Sequence, residues 1–283
     1  MYQLFLRDER FYIMKRNPHL QGIAVKKQYG QHFLRQQNVV DAMVNKVTIT
    51  EHSSIFEIGC GDGFLTRAIL QTACARLWVF EIDQEWAEYV KSHYPDPRMT
   101  IFEENILDVD FTRFQTTKWT LLANLPYQIT FPILHMLQRN KHLLDEGVIM
   151  VQEEVAQKII KSSGRGYGFV SLFFQHHFEW QLMMKISPGA FFPPPAVDSR
   201  LLYFKPRSNM AIIAEEESFW KFIKLCFGQP RRTLKNNLAH THYAAIISKS
   251  EFAALRAQQM VMADFLQLWD QILLQNHTQQ QQQ

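Results

Sequence analysis

The chain is poor in cysteine. It has three in 283 residues, Cys60, Cys74 and Cys226, far apart and without a C-x-x-C spacing. That excludes a disulfide framework and a cysteine zinc site. No run of about 18 apolar residues occurs, so no membrane-spanning helix and no membrane partner are expected. The first ten residues, Met1 to Arg10, are interrupted by acids and lack a secretory apolar segment. A reducing, cytoplasmic setting is expected. An excess of one charge is missing too. Thirty Lys and Arg against 27 Asp and Glu leave a formal net charge of +3, with a pI near 8.7. This mild basicity permits a nucleic-acid partner without requiring one. His135, His142, His176, His177, His240 and His242 are scattered, with no acids at ligand spacing, so no metal site is expected.

What is present is a large apolar share, 47%, enough for a sizeable core. Residues 1–27 read as a loosely held extension ending in the basic pair Lys26-Lys27, with Met14 as an alternative start. From residue 28 to 207, short β-rich runs alternate with helical patterns. The runs are Ser54–Ile58, Leu77–Phe80, Met99–Phe102, Trp119–Ala123 and Val148–Val151. Helical spacing follows at Phe64–Leu70, Gln84–His93, Phe131–Leu137 and Glu153–Ile160. This alternation predicts an α/β fold with a doubly wound parallel sheet. Two later runs, Glu179–Ile186 and Arg200–Phe204, flank a proline-rich loop and are expected to pair antiparallel at the sheet edge. Residues 208–275 read as a small α-helical domain, with helices over Phe219–Leu225, Arg231–Ala239, Lys249–Ala257 and Met262–Leu274. Residues 276–283 form a Gln-rich tail, expected to be disordered at its end.

The chemistry-bearing residues sit at the ends of the predicted strands, where open α/β sheets bind ligands. Glu57-x-Gly59-x-Gly61-x-Gly63 follows the first strand. Its glycines let backbone approach a ligand, and the next helix start favours an anionic group. No Lys-Ser/Thr follows, which excludes a Walker A loop. The carboxylate of S-adenosylmethionine suits such a site. Glu81 ends the second strand and can accept hydrogen bonds from both ribose hydroxyls. Asn105 ends the third strand and can meet an adenine amino group, with Asp108 nearby as the alternative acid. Asn124-Leu125-Pro126-Tyr127 ends the fourth. The Asn124 side-chain oxygen and the Leu125 carbonyl are two acceptors for an exocyclic amine. Tyr127 supplies a ring for a base that has left its helix. Phe191 and Phe192, before the triple proline, fit a second stacking wall or core packing about equally. Lys221, Lys224, Arg231, Arg232 and Lys235 can grip phosphates without sequence preference.

Taken in order, Gly30-Gln31-His32-Phe33-Leu34, the glycine motif with Leu65-Thr66, Glu81, Asn124-Leu125-Pro126-Tyr127, and Phe191-x-Pro193-Pro194-Pro195-x-Val197-Asp198-Ser199 resemble the KsgA/Dim-type small-subunit rRNA adenine dimethyltransferases. Tyr167-Gly168 and Phe227-Gly228-Gln229-Pro230-Arg231-Arg232 extend the likeness, which covers roughly residues 26 to 240. The resemblance implies dimethylation at N6 of two adjacent adenosines in the 3′ hairpin of small-subunit rRNA, within a late pre-ribosomal particle. It implies S-adenosyl-L-methionine as cofactor, and a monomer is expected. By resemblance, His32 and Leu34 border the cofactor, Gly59 contacts its methionine part, Glu81 its ribose and Asn105 its adenine. Asn124 meets cofactor and target, and Phe191 and Tyr127 flank the target base. His32 stands where many bacterial members have Asn, Asn105 where Asp is usual, and Gln128 where Asn is usual.

Three rivals remain at this level. One is an Erm-like large-subunit rRNA methyltransferase, disfavoured by the Pro193-Pro194-Pro195 loop and by Arg231-Arg232. Another is an assembly or transcription factor of the same fold with catalysis lost, for which Asn105 is the main support. The third is a DNA adenine methyltransferase, against which Leu125 and the lack of a target-recognition insert count.

Overall fold

The structure is a computed structural model and describes residues 18–114 and 118–280. Seven strands form the central sheet: β1 (Ser54–Ile58), β2 (Arg76–Phe80), β3 (Met99–Phe102), β4 (Trp119–Asn124), β5 (Leu144–Gln152), β6 (Phe178–Ile186) and β7 (Ser199–Pro206). Their order is β3-β2-β1-β4-β5-β7-β6. The first five run parallel, and β7 pairs antiparallel with both β5 and β6. The predicted doubly wound sheet with an antiparallel edge is what forms.

Parallel strands covered on both faces should read as continuous apolar runs. All five residues of β1 are buried, as are the first five of β4. Side chains alternate between faces. Ile55, Leu122 and Val148 pack with α1 (Gln37–Val44) and α2 (Phe64–Leu70). Phe56, Leu121 and Ile149 face the opposite layer, made of α4 (Thr130–Arg139), α5 (Glu153–Ile160) and α6 (Phe169–His177). The helix α3 (Gln84–His93) lies between β2 and β3 in sequence and has the bounds its proline stop predicts. The strand order reverses between β1 and β4, so a crevice opens beyond their carboxyl ends.

The carboxyl-terminal helices are α7 (Glu216–Cys226), α8 (Leu234–Asn237), α9 (Ala244–Lys249) and α10 (Met262–Gln280). Phe219, Phe222, Phe265 and Ile272 are buried in the same cluster as the sheet residues. The joint runs through α6, where Phe173 and Trp220 lie 4.9 Å apart.

Three expectations change here. The helix expected over Arg231–Ala239 shrinks to the four residues of α8. Asn237 folds its amide back onto the carbonyls of Cys226 and Gln229, which holds the preceding segment as a turn. The helix expected over Lys249–Ala257 is replaced by turns. Its carbonyls at Ala253 and Leu255 accept from the Lys235 and Leu234 amides, donors at a helix start that need partners. The amino-terminal extension is not loose from residue 18 onward. His19–Leu20 and Ile23–Ala24 make a hairpin. Val25 is buried with Phe33 and Trp86, and Lys26 Nζ is 2.6 Å from both Asp83 and Glu85.

The alternative start at Met14 and the rest of residues 1–17 lie outside the described residues. So do residues 281–283 of the Gln-rich tail, although α10 reaches Gln280. Among the described residues no helix is long and apolar enough to cross a membrane.

Candidate active site

The turn after β1 is shaped by three glycines with positive φ: Gly59 at 73°, Gly61 at 52° and Gly63 at 81°. Residues with a Cβ rarely adopt this region. A Cβ at Gly63 would lie 2.5 Å from the Tyr94 ring, so that position is closed by packing as well. A Cβ at Gly59 would meet nothing within 4 Å. Gly59 therefore turns bare backbone toward open space, as ligand approach requires.

Two carboxyl groups sit beneath this turn. Glu81, just past β2, is 6% exposed. Its oxygens accept from the Gly61 amide at 3.2 Å and the Asp83 amide at 2.8 Å. Burial pushes its pKa up, and these amides oppose the shift. Glu57 is fully buried. Its Oε2 accepts from Thr66 Oγ1 at 2.7 Å, and its Oε1 has no partner among the described residues. Burial above all, with the Glu81 and Asp62 charges adding, pushes its pKa up to about 8. At neutral pH this carboxyl keeps its proton. In the sequence Glu57 stands out only as the head of the glycine motif; its burial near two other acids has no local sequence signal.

The opposite wall comes from residues 32–34. Phe33 and Leu34 pair antiparallel with Phe192 and Phe191. The Asn124 Nδ2 donates to the His32 carbonyl at 3.1 Å. The Leu125 amide donates to the Met150 carbonyl at 3.1 Å, anchoring the turn after β4. Tyr127 stacks on His32 with centroids 5.7 Å apart, and its hydroxyl shares a 2.5 Å hydrogen bond with Ser199 Oγ.

These walls enclose a cleft of about 310 Å³. It is lined by His32, Leu34, Gly59, Gly61, Glu81, Asn105, Asn124, Leu125 and Tyr127, all selected from sequence. Glu57, Ile82 and Gln128 line it as well.

Two selected residues behave differently. Phe191 is buried in the core with Leu34 and Leu201 and is not among the cleft-lining residues. Its pairing with Leu34 turns its ring inward, and the alternation along a strand leaves Phe192 as the exposed ring. Asn105 lines the cleft, but its amide is engaged locally. It accepts from the Leu107 amide at 3.2 Å and donates to Asp108 at 2.8 Å, capping a short turn. Asp108 closes that turn.

Lys221, Lys224, Arg231, Arg232 and Lys235 are all exposed, on α7, α8 and the turn between them. Lys221 pairs with Glu217, and Lys224 lies over the Phe169 ring. The fold also gathers His176, His177 and Glu216, which sequence spacing does not reveal because α6 and α7 are far apart in the chain. Here Lys141 Nζ donates to His177 Nδ1 at 3.1 Å. Burial drives the His177 pKa down to about 3. An ammonium already seated on the imidazole suits a hydrogen-bonded network rather than a metal ion.

The family model for "Ribosomal RNA adenine dimethylase" matches residues 22–272. A "Ribosomal RNA small subunit methyltransferase A" from Chlorobium phaeobacteroides is 34% identical over 252 residues, 88% of this chain and 92% of that protein. A protein of the same name from Francisella tularensis subsp. novicida is 31% identical, over 86% of this chain and 95% of its own. Among solved structures, a dimethyladenosine transferase from Plasmodium falciparum shares the fold with a TM-score of 0.73 and 19% identity, over 84% of this chain and 96% of its own. The 23S rRNA methyltransferase ErmE does so with a TM-score of 0.64 and 18% identity, over 84% and 98%. Family match and methyltransferase fold together imply a cofactor of the S-adenosylmethionine type. With the matched region spanning the sheet, the cleft and the carboxyl-terminal helices, the chain belongs to the ribosomal RNA adenine dimethylase family.

Proposed function

We propose that this rRNA methyltransferase transfers methyl groups from S-adenosyl-L-methionine to N6 of two adjacent adenosines in the 3′-terminal hairpin of small-subunit rRNA. It acts as a monomer on a late pre-ribosomal particle. The observation that carries the reading is the orientation of Asn124. A carbonyl only accepts, so the bond to His32 consumes the amide nitrogen and leaves Oδ1 as an acceptor in the cleft.

The cleft suits the cofactor on its own features. Bare backbone at Gly59 fits its methionine part, and Glu81, which lines the cleft, fits its ribose. Bound there, S-adenosylmethionine supplies an electrophilic methyl group. His32 and Leu34 border it, and Gly61 holds Glu81 in place through its amide. Asn105 closes the adenine end with its backbone turn rather than with a free amide.

An adenine amino nitrogen is a poor nucleophile because its lone pair is delocalised into the ring. Acceptance of its hydrogens by Asn124 Oδ1 and the Leu125 carbonyl favours a pyramidal nitrogen with a localised lone pair. That interaction strengthens toward the transition state. Tyr127 stacks on the base after it leaves its helix. Residues 208–275 supply Lys221, Lys224, Arg231, Arg232 and Lys235 to RNA phosphates. Small-subunit rRNA is favoured over a large-subunit target because the sequence relatives that cover most of the chain carry small-subunit names.

The test incubates the protein with labelled S-adenosylmethionine and undermethylated small subunits, large subunits or duplex DNA, then maps the modified base. N6,N6-dimethyladenosine at two adjacent positions of small-subunit rRNA is the expected result. Label on large subunits alone would move the reading to the Erm-like activity.

A further inference from the structure

Three contacts meet at His32. Its ring stacks on Tyr127, with planes 26° from parallel. Its Nδ1 lies 2.8 Å from the Pro193 carbonyl oxygen, so Nδ1 carries the proton and donates. Its own carbonyl receives the Asn124 amide. At its far end Tyr127 is held by Ser199. The phenol is therefore braced on one face by a ring and fixed at its tip by a hydrogen bond. The brace is itself tied to the proline-rich loop.

We propose that the His32 ring is a positioning residue for the target nucleobase: it braces Tyr127 and couples it to the Pro193 loop, so that the phenol stands ready to stack on an incoming base. This rests on the reading of Tyr127 as the base-stacking ring. A lone phenol at a cleft mouth would have to be ordered by the substrate at the moment of binding. Pinned on one face and at the tip, Tyr127 carries that ordering cost within the fold. Small errors in reacting geometry lower rate steeply. Loss of the brace is therefore read in turnover on RNA, while the cofactor's contacts at Gly59 and Glu81 are untouched. The two functions of the ring separate chemically. A methyl group in its place supplies neither ring nor donor, and a benzyl group supplies the ring without a donor.

The experiment compares His32→Ala and His32→Phe with wild type. Because His32 also borders the cofactor, it measures kcat and KM for undermethylated small subunits at saturating S-adenosylmethionine, with the melting temperature of each variant. His32→Ala should lower kcat/KM about tenfold or more, with a melting temperature close to wild type reporting an intact fold. His32→Phe should recover most of the loss. Wild-type kcat/KM in His32→Ala, or a His32→Phe variant as slow as His32→Ala, would each overturn the proposal. Tyr127→Leu run alongside separates the two levels. Full activity there refutes the base-stacking reading itself, whereas an inactive Tyr127→Leu with a fully active His32→Ala refutes only the brace.

Discussion

Asn124 gives its amide nitrogen to the main-chain carbonyl of His32, 92 residues away in sequence, at 3.1 Å. That bond fixes which end of the carboxamide faces the cleft. Asn124→Ala removes the acceptor and leaves the glycine turn and Glu81 in place. It should abolish methyl transfer, a loss of about 10² or more in kcat for a missing transition-state contact. Cofactor binding, followed by calorimetry, should stay detectable. Turnover at the wild-type rate would remove Asn124 from the chemistry. Asn124→Asp is a sharper variant. A carboxylate cannot donate to the His32 carbonyl, so it should repel that oxygen, and its activity should also collapse although an acceptor remains.

The site is unevenly legible in the sequence, for physical reasons. Strand ends and glycine turns are local, so the crevice between β1 and β4 was legible from Gly59, Gly61, Gly63, Glu81 and Asn124 alone. Phe191 and Phe192 are not told apart by sequence, because one ring of a Phe-Phe pair must face inward and only the pairing with Leu34 decides which. Asn105 looked like a free strand-end amide, but a short turn nearby claimed it. The His176, His177 and Glu216 cluster depends on how α6 meets α7, a contact that no periodicity encodes. Helical spacing around Arg231 and Lys249 gives way to turns for a similar reason, since Asn237 and the carbonyls of Ala253 and Leu255 impose them from a distance.

Glu81 is the second test. Its two oxygens already hold the Gly61 and Asp83 amides, so it organises the turn as well as facing the cleft. Glu81→Ala should weaken cofactor binding by about tenfold or more, the scale of one or two charge-assisted hydrogen bonds. Calorimetry with S-adenosylmethionine reads the change directly. An unaltered Kd would refute the ribose assignment.

Glu57 makes a prediction about pH. Its carboxyl is pushed from the ordinary carboxylate value up to about 8, chiefly by burial. An acid whose folded pKa is raised keeps its proton in the fold after the unfolded chain has lost it. Stability from this group is therefore undiminished below the unfolded value near 4.5 and declines as pH rises from there to about 8. Glu57→Gln stays neutral throughout and retains an acceptor for Thr66. The stability of the variant relative to wild type, followed by thermal melting, should rise as pH is raised from about 5 to about 8 and level off above that, by a few kcal/mol at most, at about 1.36 kcal/mol per pKa unit. A constant difference across that range would mean that the buried carboxyl does not change its proton between the folded and unfolded states.

The basic surface of the carboxyl-terminal helices makes the last prediction. Arg231 and Arg232 are exposed in the turn before α8, with no ion pair assigned to either among the described residues. Each is thus free to meet a phosphate. Neutralising a phosphate releases condensed counterions, so the logarithm of affinity falls linearly with the logarithm of salt concentration. The Arg231→Ala, Arg232→Ala double variant should bind small-subunit rRNA more weakly. Its salt slope should be shallower by about one unit per lost contact. Methyl transfer at saturating RNA should be nearly unchanged, because neither side chain lines the cleft. Titrations at several salt concentrations distinguish the outcomes. A parallel line of lower affinity would mean the turn was disturbed without phosphate contacts being lost, and an identical line would take both arginines out of the interface.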